Sequence, residues 1–258
     1  SMKLPKNKKV YFASDNHLGL NAELSSNERE KFFVAWLDTV RKDAAAIYLL
    51  GDLFDFWFEY QKVVPKGFVR VLGKLAELTD SGIPITFFVG NHDLWMKDYF
   101  KKELGVTLYY NPVDIKINDT IFMIGHGDGL GPGDLGYKRM KKIFKNKFFQ
   151  WLFSLIHPDL GIRLGNYLSQ RNKFISGEAD IKFLGEEKEW LVAYCRSKLE
   201  EKHYNYFIFG HRHLPLQIDL GKDSKYVNLG DWITHFTYGV FDGNSFLLEK
   251  WKNGISND

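Results

Sequence analysis

Short apolar runs alternate with amphipathic stretches along the first half of the chain, and this order predicts α/β layering. Five runs rich in β-branched and aromatic residues have the length of buried strands, at 10–14, 45–50, 85–89, 120–124 and 206–209. Apolar residues recur at helical spacing in three stretches between them, at 27–40, 68–78 and 186–199. Further strands follow His211, at 216–220, 225–229, 238–241 and 246–251. We expect an α/β (α+β) fold, a four-layer αββα sandwich of two mixed sheets, in one domain spanning residues 1–258.

The segment from Gly136 to Gly177 interrupts this pattern, because it contains no strand signal. One helical stripe of apolar residues runs from Met140 to Ile156, and a second, short helix is expected after Pro158. The segment has nine basic residues and one acidic residue, a net charge of +8 in a chain whose formal net charge is +3. We interpret it as a basic, aromatic helical cap inserted into the domain at about 136–177.

Composition indicates the cellular compartment in which the protein is expected. The chain has one cysteine, Cys195, in a helical pattern, which excludes an internal disulfide and fits a buried residue in a reducing compartment. No apolar stretch approaches the roughly 20 residues of a membrane span, and the apolar run at 10–13 is too short for a signal-peptide core. These features predict a cytoplasmic protein.

Five short motifs with metal-binding side chains lie at or just after the ends of apolar runs. They read Asp15-Asn16-His17, Gly51-Asp52-Leu53-Phe54-Asp55, Gly90-Asn91-His92-Asp93, Gly125-His126-Gly127-Asp128 and Gly210-His211-Arg212-His213. Gly-Asp and Gly-Asn are also common turn dipeptides, so one such motif alone favours a turn. Their recurrence at five strand ends instead predicts ligands that meet at one edge of the sheets. Mixed oxygen and imidazole donors suit Mn²⁺, with Zn²⁺ or Fe as alternatives, and a carboxylate such as Asp52 can bridge two ions with its two oxygens.

The order D-x-H, GD-xx-D, GNHD, GH-x-D and GH-x-H resembles the calcineurin-like metallophosphoesterases over residues 10–213. The resemblance implies a two-metal hydrolase with the αββα fold. It assigns one ion to Asp15, His17, Asp52 and His213, and the other to Asp52, Asn91, His126 and His211. A water between two such ions is acidified and attacks phosphorus in line.

The side chains that flank the ligands have separate expected roles. His92 follows Asn91 and should face the substrate, where it protonates the leaving oxygen or stabilises charge on it. Asp93 is expected to orient His92 by a hydrogen bond. Asp55 and Asp128 are expected to orient ligands or to be structural acids rather than ligands.

A second set of motifs resembles the UDP-2,3-diacylglucosamine hydrolases of lipid A biosynthesis. The matching segments are Ser14-Asp15-Asn16-His17-Leu18, Gly51 to Trp57, His126 to Asp128 with Asp134 and Gly136-Tyr137, and Leu229-Gly230-Asp231-Trp232. The resemblance implies a pyrophosphatase that releases UMP and 2,3-diacylglucosamine 1-phosphate, with a cap that holds two acyl chains and contacts the inner-membrane surface. It implies substrate contacts from Asn91, His92, Asp134, Tyr137, Arg171, Lys173 and His211. His92 departs from the pattern, since members of this hydrolase family carry arginine there.

Three alternatives stay open at this point. A related phosphodiesterase or nucleotide pyrophosphatase with another substrate would have the same motifs, and histidine at position 92 is the general phosphoesterase pattern. A non-catalytic scaffold of this fold is disfavoured because all seven ligands are present. Nucleic-acid binding is suggested by basic residues interleaved with aromatic ones, but their regular helical spacing favours burial or lipid contact. No obligate protein partner is indicated.

Overall fold

The computed structural model describes residues 1–132, 135–176 and 182–252, with the side chains of 172–176 left aside. Its first sheet has six strands, in the order β11-β10-β1-β2-β3-β4. They are β1 (Lys9–Ala13), β2 (Ala44–Leu49), β3 (Ile85–Phe88), β4 (Thr107–Tyr109), β10 (Thr237–Phe241) and β11 (Phe246–Lys250). Strands β1 to β4 are parallel, whereas β10 runs antiparallel to both β1 and β11.

The second sheet has five strands, in the order β5-β6-β7-β9-β8. They are β5 (Val113–Ile117), β6 (Thr120–Ile124), β7 (Tyr206–Phe209), β8 (Pro215–Gly221) and β9 (Ser224–Leu229). The central strands β6, β7 and β9 are parallel, and the edge strands β5 and β8 are antiparallel to their neighbours. Both sheets are therefore mixed, as predicted.

The layers follow from which faces are buried. Phe12 of the first sheet packs against Phe122 of the second, with ring centroids 6.2 Å apart, within an apolar core between the sheets. Helices α1 (Ser26–Val40), α2 (Val69–Asp80) and α3 (Tyr99–Leu104) cover the outer face of the first sheet. Helix α7 (Trp190–Glu201) covers the outer face of the second, where Cys195 is buried. The αββα sandwich is confirmed.

Three helices form the insertion: α4 (Leu135–Lys145), α5 (Lys147–Ser154) and α6 (Pro158–Ser176). The predicted single stripe from Met140 to Ile156 is wrong, because the helix breaks at Asn146. That side chain accepts a hydrogen bond from the Phe148 amide at 2.8 Å and so starts a new helix. Helix α6 has 19 residues and is longer than predicted.

An aromatic contact seats the cap on the sandwich. The indole Nε1 of Trp95 donates to the Phe144 carbonyl at 2.7 Å, and the Phe153 ring packs 4.7 Å from Trp95 and 4.8 Å from Phe58. Within the described ranges, no helix has both the length and the apolar character needed to cross a bilayer.

The predicted strands agree with the structure to within one residue at most ends, and 120–124 and 206–209 match β6 and β7. Three elements, α3, β4 and β5, were not predicted from the sequence. These elements are short, and β4 and β5 are partly exposed edge strands without a continuous apolar run. The helical pattern at 186–199 is divided into a short 3₁₀ turn (Glu186–Lys188) and α7.

Candidate metal centre

The seven predicted ligands lie on loops that follow the carboxyl ends of β1, β2, β3, β6 and β7. Backbone hydrogen bonds join these loops: the Asp15 amide donates to Gly51, the His17 amide donates to Asp52, and the Gly210 amide donates to His126. The two sheets therefore bring all seven side chains to one place. They form two adjoining groups.

The first group consists of Asp15, His17 and His213, whose ligand atoms lie within 4.8 Å of one another. Nε2 of His17 is 3.1 Å from Nε2 of His213, and Oδ1 of Asp15 is 3.4 Å from the latter nitrogen. Metal–ligand bonds of about 2.0–2.2 Å place neighbouring ligand atoms roughly 3–3.5 Å apart. Oδ1 of Asp15 is buried and accepts no hydrogen bond from the described residues. The donor spacing and this unsatisfied oxygen fit a cation.

The second group consists of Asp52, His126 and His211, again with ligand atoms within 4.8 Å of one another. The amide oxygen Oδ1 of Asn91 lies 3.0 Å from Nε2 of His126 and 3.0 Å from Nδ1 of His211. Nε2 of His126 is 3.2 Å from Oδ2 of Asp52. This group supplies one carboxylate, one amide oxygen and two imidazoles, which is the second predicted ligand set.

Asp52 lies between the two groups. Its Oδ2 is 3.5 Å from Nε2 of His17 and 3.2 Å from Nε2 of His126, whereas its Oδ1 accepts the His92 amide at 2.9 Å. That Asp52 bridges two ions stays a prediction, and one of its oxygens already accepts a backbone hydrogen bond. Oδ2 alone faces both groups.

Hydrogen bonds on the far side of the rings orient two of the imidazoles. Nδ1 of His17 lies 3.1 Å from Oδ1 of Asp55, as expected for a carboxylate that orients a ligand. Nδ1 of His126 donates to the Leu50 carbonyl at 2.6 Å. Each bond fixes the proton on Nδ1, so that Nε2 is presented to the centre.

Neighbouring charges and burial shift the pKa values of side chains in the metal centre. Burial disfavours the charged imidazole of His126, but the Asp52 carboxylate outweighs burial and holds the pKa of His126 well above its ordinary value. Burial likewise disfavours the charged form of Asp52, yet His126 and His92 hold the pKa of this carboxyl well below its ordinary value. Burial and the nearby His126 lower the pKa of His211. Asp52 and His126 therefore form a buried ion pair.

Five of the seven ligand residues have left-handed backbone conformations, which L-residues adopt rarely. Their φ values are 59° at Asp15, 46° at His17, 52° at Asp52, 70° at His211 and 55° at His213. The chain also passes very close to two ligands at glycines. A Cβ at Gly90 would overlap Oδ1 of Asp52, and one at Gly210 would overlap Oδ2 of Asp15.

His92 lies at the edge of the centre, with its ring centroid 4.7 Å from that of His17. Its Nδ1 is 2.9 Å from the Asp55 carbonyl oxygen and 2.7 Å from Oγ of Ser169. The predicted role of Asp93 is wrong: its two carboxylate oxygens accept the amides of Leu53, at 2.9 Å, and Gly90, at 2.7 Å. Asp93 therefore braces the loops that carry Asp52 and Asn91.

The remaining predicted site residues differ in where the structure places them. Asp128 is a structural acid as expected: it accepts the Tyr137 hydroxyl at 2.6 Å and pairs with Lys141 at 2.5 Å, which ties α4 to the loop after β6. Arg171 is exposed on α6. Asp134 and the side chain of Lys173 lie outside the described residues. The substrate contacts remain predictions.

Two buried residues support the predicted ligands in ways that were not predicted from the sequence. Oδ2 of Asp231 lies 3.4 Å from Nδ1 of His213. The guanidinium of Arg29 is fully buried and donates to the carbonyls of Asn16, His17, Leu20 and Trp232. A signal for Arg29 was available, since it lies four residues before Phe33 and hence on the apolar face of α1.

Comparisons with known proteins agree with this centre. The family model for the calcineurin-like phosphoesterases matches residues 8–215. A UDP-2,3-diacylglucosamine hydrolase of Porphyromonas gingivalis is 37% identical over 95% of this chain and 98% of its own length. The Vibrio parahaemolyticus hydrolase of the same name is 29% identical over 93% of this chain and 96% of its own length.

The family model covers most of the chain and includes all seven ligand positions, so the match extends to the residues that define the centre. Divalent ions are accordingly the expected cofactors. This chain belongs to the calcineurin-like phosphoesterase family of metal-dependent hydrolases.

Proposed function

We propose that this protein hydrolyses the pyrophosphate bond of UDP-2,3-diacylglucosamine to give UMP and 2,3-diacylglucosamine 1-phosphate. The observation that carries the proposal is the similarity to the Porphyromonas gingivalis hydrolase over 95% of this chain. The uncovered part is too small to omit the cap, so the similarity includes the segment that would select the substrate. The metal centre by itself supports only the reaction class.

The first ion would be held by Asp15, His17, Asp52 and His213, and the second by Asp52, Asn91, His126 and His211. The mixed nitrogen and oxygen donors favour Mn²⁺ over Ca²⁺ or Mg²⁺. Two such ions supply an acidified water and neutralise charge on the phosphoryl oxygens. Asp52 is indispensable in this arrangement because its Oδ2 faces both groups.

The chain's own residues would handle the leaving group. Asp55 and Ser169 hold Nδ1 of His92, so we assign proton transfer to Nε2 on the opposite side of the ring. Nε2 would protonate, or donate a hydrogen bond to, the oxygen that leaves with the sugar phosphate. Asn91 and His211 lie in the same group of side chains and would contact the phosphoryl oxygens, with Asp134, Tyr137, Arg171 and Lys173 nearer the sugar and its acyl amides.

The cap supports a lipid substrate. Phe148 is 61% exposed, Trp151 55%, Leu155 63% and Leu160 59%, so much of the apolar surface of α5 and α6 faces outward. Acyl methylenes buried there would contribute about 0.8 kcal/mol each. The nine basic residues of the insertion would attract an anionic lipid surface, so we propose peripheral contact with the inner membrane from the cytoplasmic side.

A second candidate is a phosphodiesterase or nucleotide pyrophosphatase with another substrate. His92 favours it, because histidine at that position is the general phosphoesterase pattern. A change at position 92 alters the group beside the reacting bond while it leaves the seven ligands unchanged.

The experiment is hydrolysis of UDP-2,3-diacylglucosamine in detergent micelles by the purified protein with Mn²⁺, followed by ³¹P NMR. We expect equimolar UMP and acylated sugar 1-phosphate. Asp52→Ala should abolish the reaction, and Asp119→Ala, on an exposed turn, is the matched control. Turnover of bis(p-nitrophenyl) phosphate without UMP release from the lipid would favour the second candidate.

A further inference from the structure

Ser169 of the cap helix α6 reaches the metal centre. Its Oγ is buried, 2.7 Å from Nδ1 of His92, 2.8 Å from the Asp55 carbonyl oxygen and 3.2 Å from Oδ2 of Asp55. It lies 114 residues from Asp55 and 77 from His92 along the chain, so the contact exists only when the cap is seated. A residue of the insertion therefore contacts the histidine that acts on the leaving group.

The donors and acceptors in this contact can be assigned. A carbonyl oxygen only accepts, so the Ser169 hydroxyl donates to Asp55 and uses a lone pair to accept from Nδ1–H of His92. The same Asp55 carbonyl lies 2.9 Å from Nδ1. Both neighbours thus keep a proton on Nδ1 and fix the plane of the ring, so the proton that goes to the leaving oxygen is the second one, on Nε2 of the imidazolium.

Helix α6 is shaped for this approach. Gly161, Gly165 and Ser169 are four residues apart and share one face. A Cβ at Gly165 would overlap the ring of Phe56, and one at Gly161 would overlap the Tyr60 hydroxyl. These glycines let the helix backbone lie against the segment that follows Asp55, at the distance at which a serine side chain spans the gap to His92.

Asp55 connects the same contact to the metal ligands. Its Oδ1 lies 3.1 Å from Nδ1 of His17, while its carbonyl and Oδ2 are on Ser169. The hydroxyl of Ser169 therefore hydrogen-bonds two residues. One is Asp55, which orients the predicted ligand His17, and the other is His92, which is expected to face the substrate.

We propose that Ser169 is a positioning residue through which the seated cap orients His92 for proton transfer to the leaving oxygen of the phosphoester. The inference rests on the proposed function insofar as His92 acts on the leaving oxygen. It adds that the cap is part of the reaction machinery as well as a cover for the substrate. Displacement of α6 would release the ring of His92 without removing any metal ligand.

The test compares Ser169→Ala with Ser154→Ala, a cap serine whose hydroxyl bonds only within its own helix turn, to Trp151. The substrates are small phosphodiesters that need no lipid site, with leaving groups from p-nitrophenol to ethanol. Loss of an orienting partner costs about 10–100-fold in comparable sites. We expect Ser169→Ala to lower kcat at least about tenfold for the poor leaving group and less than about twofold for p-nitrophenol.

Two further measurements separate positioning from folding. Ser169→Thr keeps the hydroxyl and should recover most of the activity, and Ser169→Ala should add nothing in a His92→Gln background. Imidazole ¹⁵N NMR should show a protonated Nδ1 at His92 in the wild type and a changed Nδ1 chemical shift in Ser169→Ala, where the hydrogen bond from Nδ1 to Ser169 is lost, whatever the activity.

The outcomes are distinguishable. Equal losses for all leaving groups, or additive losses in the His92→Gln background, would overturn the proposal. An unchanged Nδ1 chemical shift at His92 would also overturn it. Failure of UDP-2,3-diacylglucosamine hydrolysis together with the expected diester pattern would refute the substrate assignment and leave the role of Ser169 supported.

Discussion

The carboxylate of Asp231 lies 3.4 Å from Nδ1 of His213, while Nε2 of the same ring lies 3.4 Å from Oδ1 of Asp15. Asp231 thus holds the ligand from the side opposite the metal centre. The His213 imidazole in turn holds the pKa of Asp231 below its ordinary value, against the opposing effect of burial. The carboxylate is also fixed by the backbone amides of Ile233, Thr234 and His235. It is therefore a rigid support for one ring.

The first prediction is that Asp231→Asn lowers the affinity for the first ion, the one assigned to His213, by about 10–100-fold. The affinity for the second ion should not change. The amide loses the charge that stabilises the His213 ring in its ligating orientation. Calorimetric titration of the metal-free protein with Mn²⁺ should show one weakened and one unchanged site. Asp242→Asn is the matched control, because Asp242 likewise accepts backbone amides in a turn. Equal weakening of both sites would contradict the assignment.

The second prediction concerns Arg29, whose buried guanidinium is expected to stabilise the loop after β1 that carries Asp15 and His17. Arg29→Met removes the guanidinium donor from the carbonyls of Asn16, His17 and Leu20, and hydrogen bonds from charged groups contribute about 1.5–3 kcal/mol each. We expect the free energy of unfolding of the metal-free protein to fall by about 3 kcal/mol or more in urea titrations. Arg196→Met, at a half-exposed side chain, is the control. A decrease in the free energy of unfolding of less than about 1 kcal/mol would show that the loop is stable without Arg29.

Metal binding should release protons. The pKa of His126 is raised by the Asp52 carboxylate, so before an ion binds this imidazole is charged at neutral pH. A ligand must be deprotonated, so the Mn²⁺ affinity should rise with pH, by up to about tenfold per unit for each proton displaced. Calorimetry in buffers of different ionisation enthalpy measures the number released. No release at pH 7 would contradict the ion pair.

The same shift has the opposite consequence for the metal-free protein. A raised pKa means that the ion pair stabilises the fold fully below the ordinary histidine pKa, about 6.5, and that this contribution is lost as pH rises through the raised value. Stability of the metal-free chain and affinity for the ion should therefore change in opposite directions with pH.

Trp151 tests the lipid assignment. Trp151→Glu should raise the apparent KM for UDP-2,3-diacylglucosamine and leave the KM for a small chromogenic diester unchanged. Acyl chains bound on the cap would bury the new carboxylate, which is unfavourable, whereas a small diester does not contact this surface. Leu247→Glu is the matched control, since Leu247 is 52% exposed against 55% for Trp151 but lies on β11. Equal losses on both substrates from Trp151→Glu would mean that the cap is structural only.

The sandwich and the convergence of the predicted ligand side chains could be predicted from the sequence because both depend on local patterns. Buried strands such as β6 show as continuous apolar runs, and ligands at strand ends are brought together by the sheets. The break at Asn146 was missed because apolar spacing continued across it, and only the side-chain cap shows where α5 begins.

The supporting residues could not be predicted in the same way. Asp231, Asp93 and Ser169 each act through a partner that is distant in sequence or through backbone amides, and such contacts leave no periodic trace. Asp93 shows the limit most clearly. Its position beside His92 suggested a direct contact, yet its side chain turns back to the amides of its own loop and of Leu53.

The left-handed backbone at Asp15, His17, Asp52, His211 and His213 has an evolutionary consequence. Each such residue costs about 1 kcal/mol or more in the fold itself, and glycine at the same position would relieve it. A library of this gene sorted only for thermal survival should therefore accumulate glycine at these five positions. Its survivors would keep both sheets and lose turnover, so the metal centre would erode wherever hydrolysis itself is not selected.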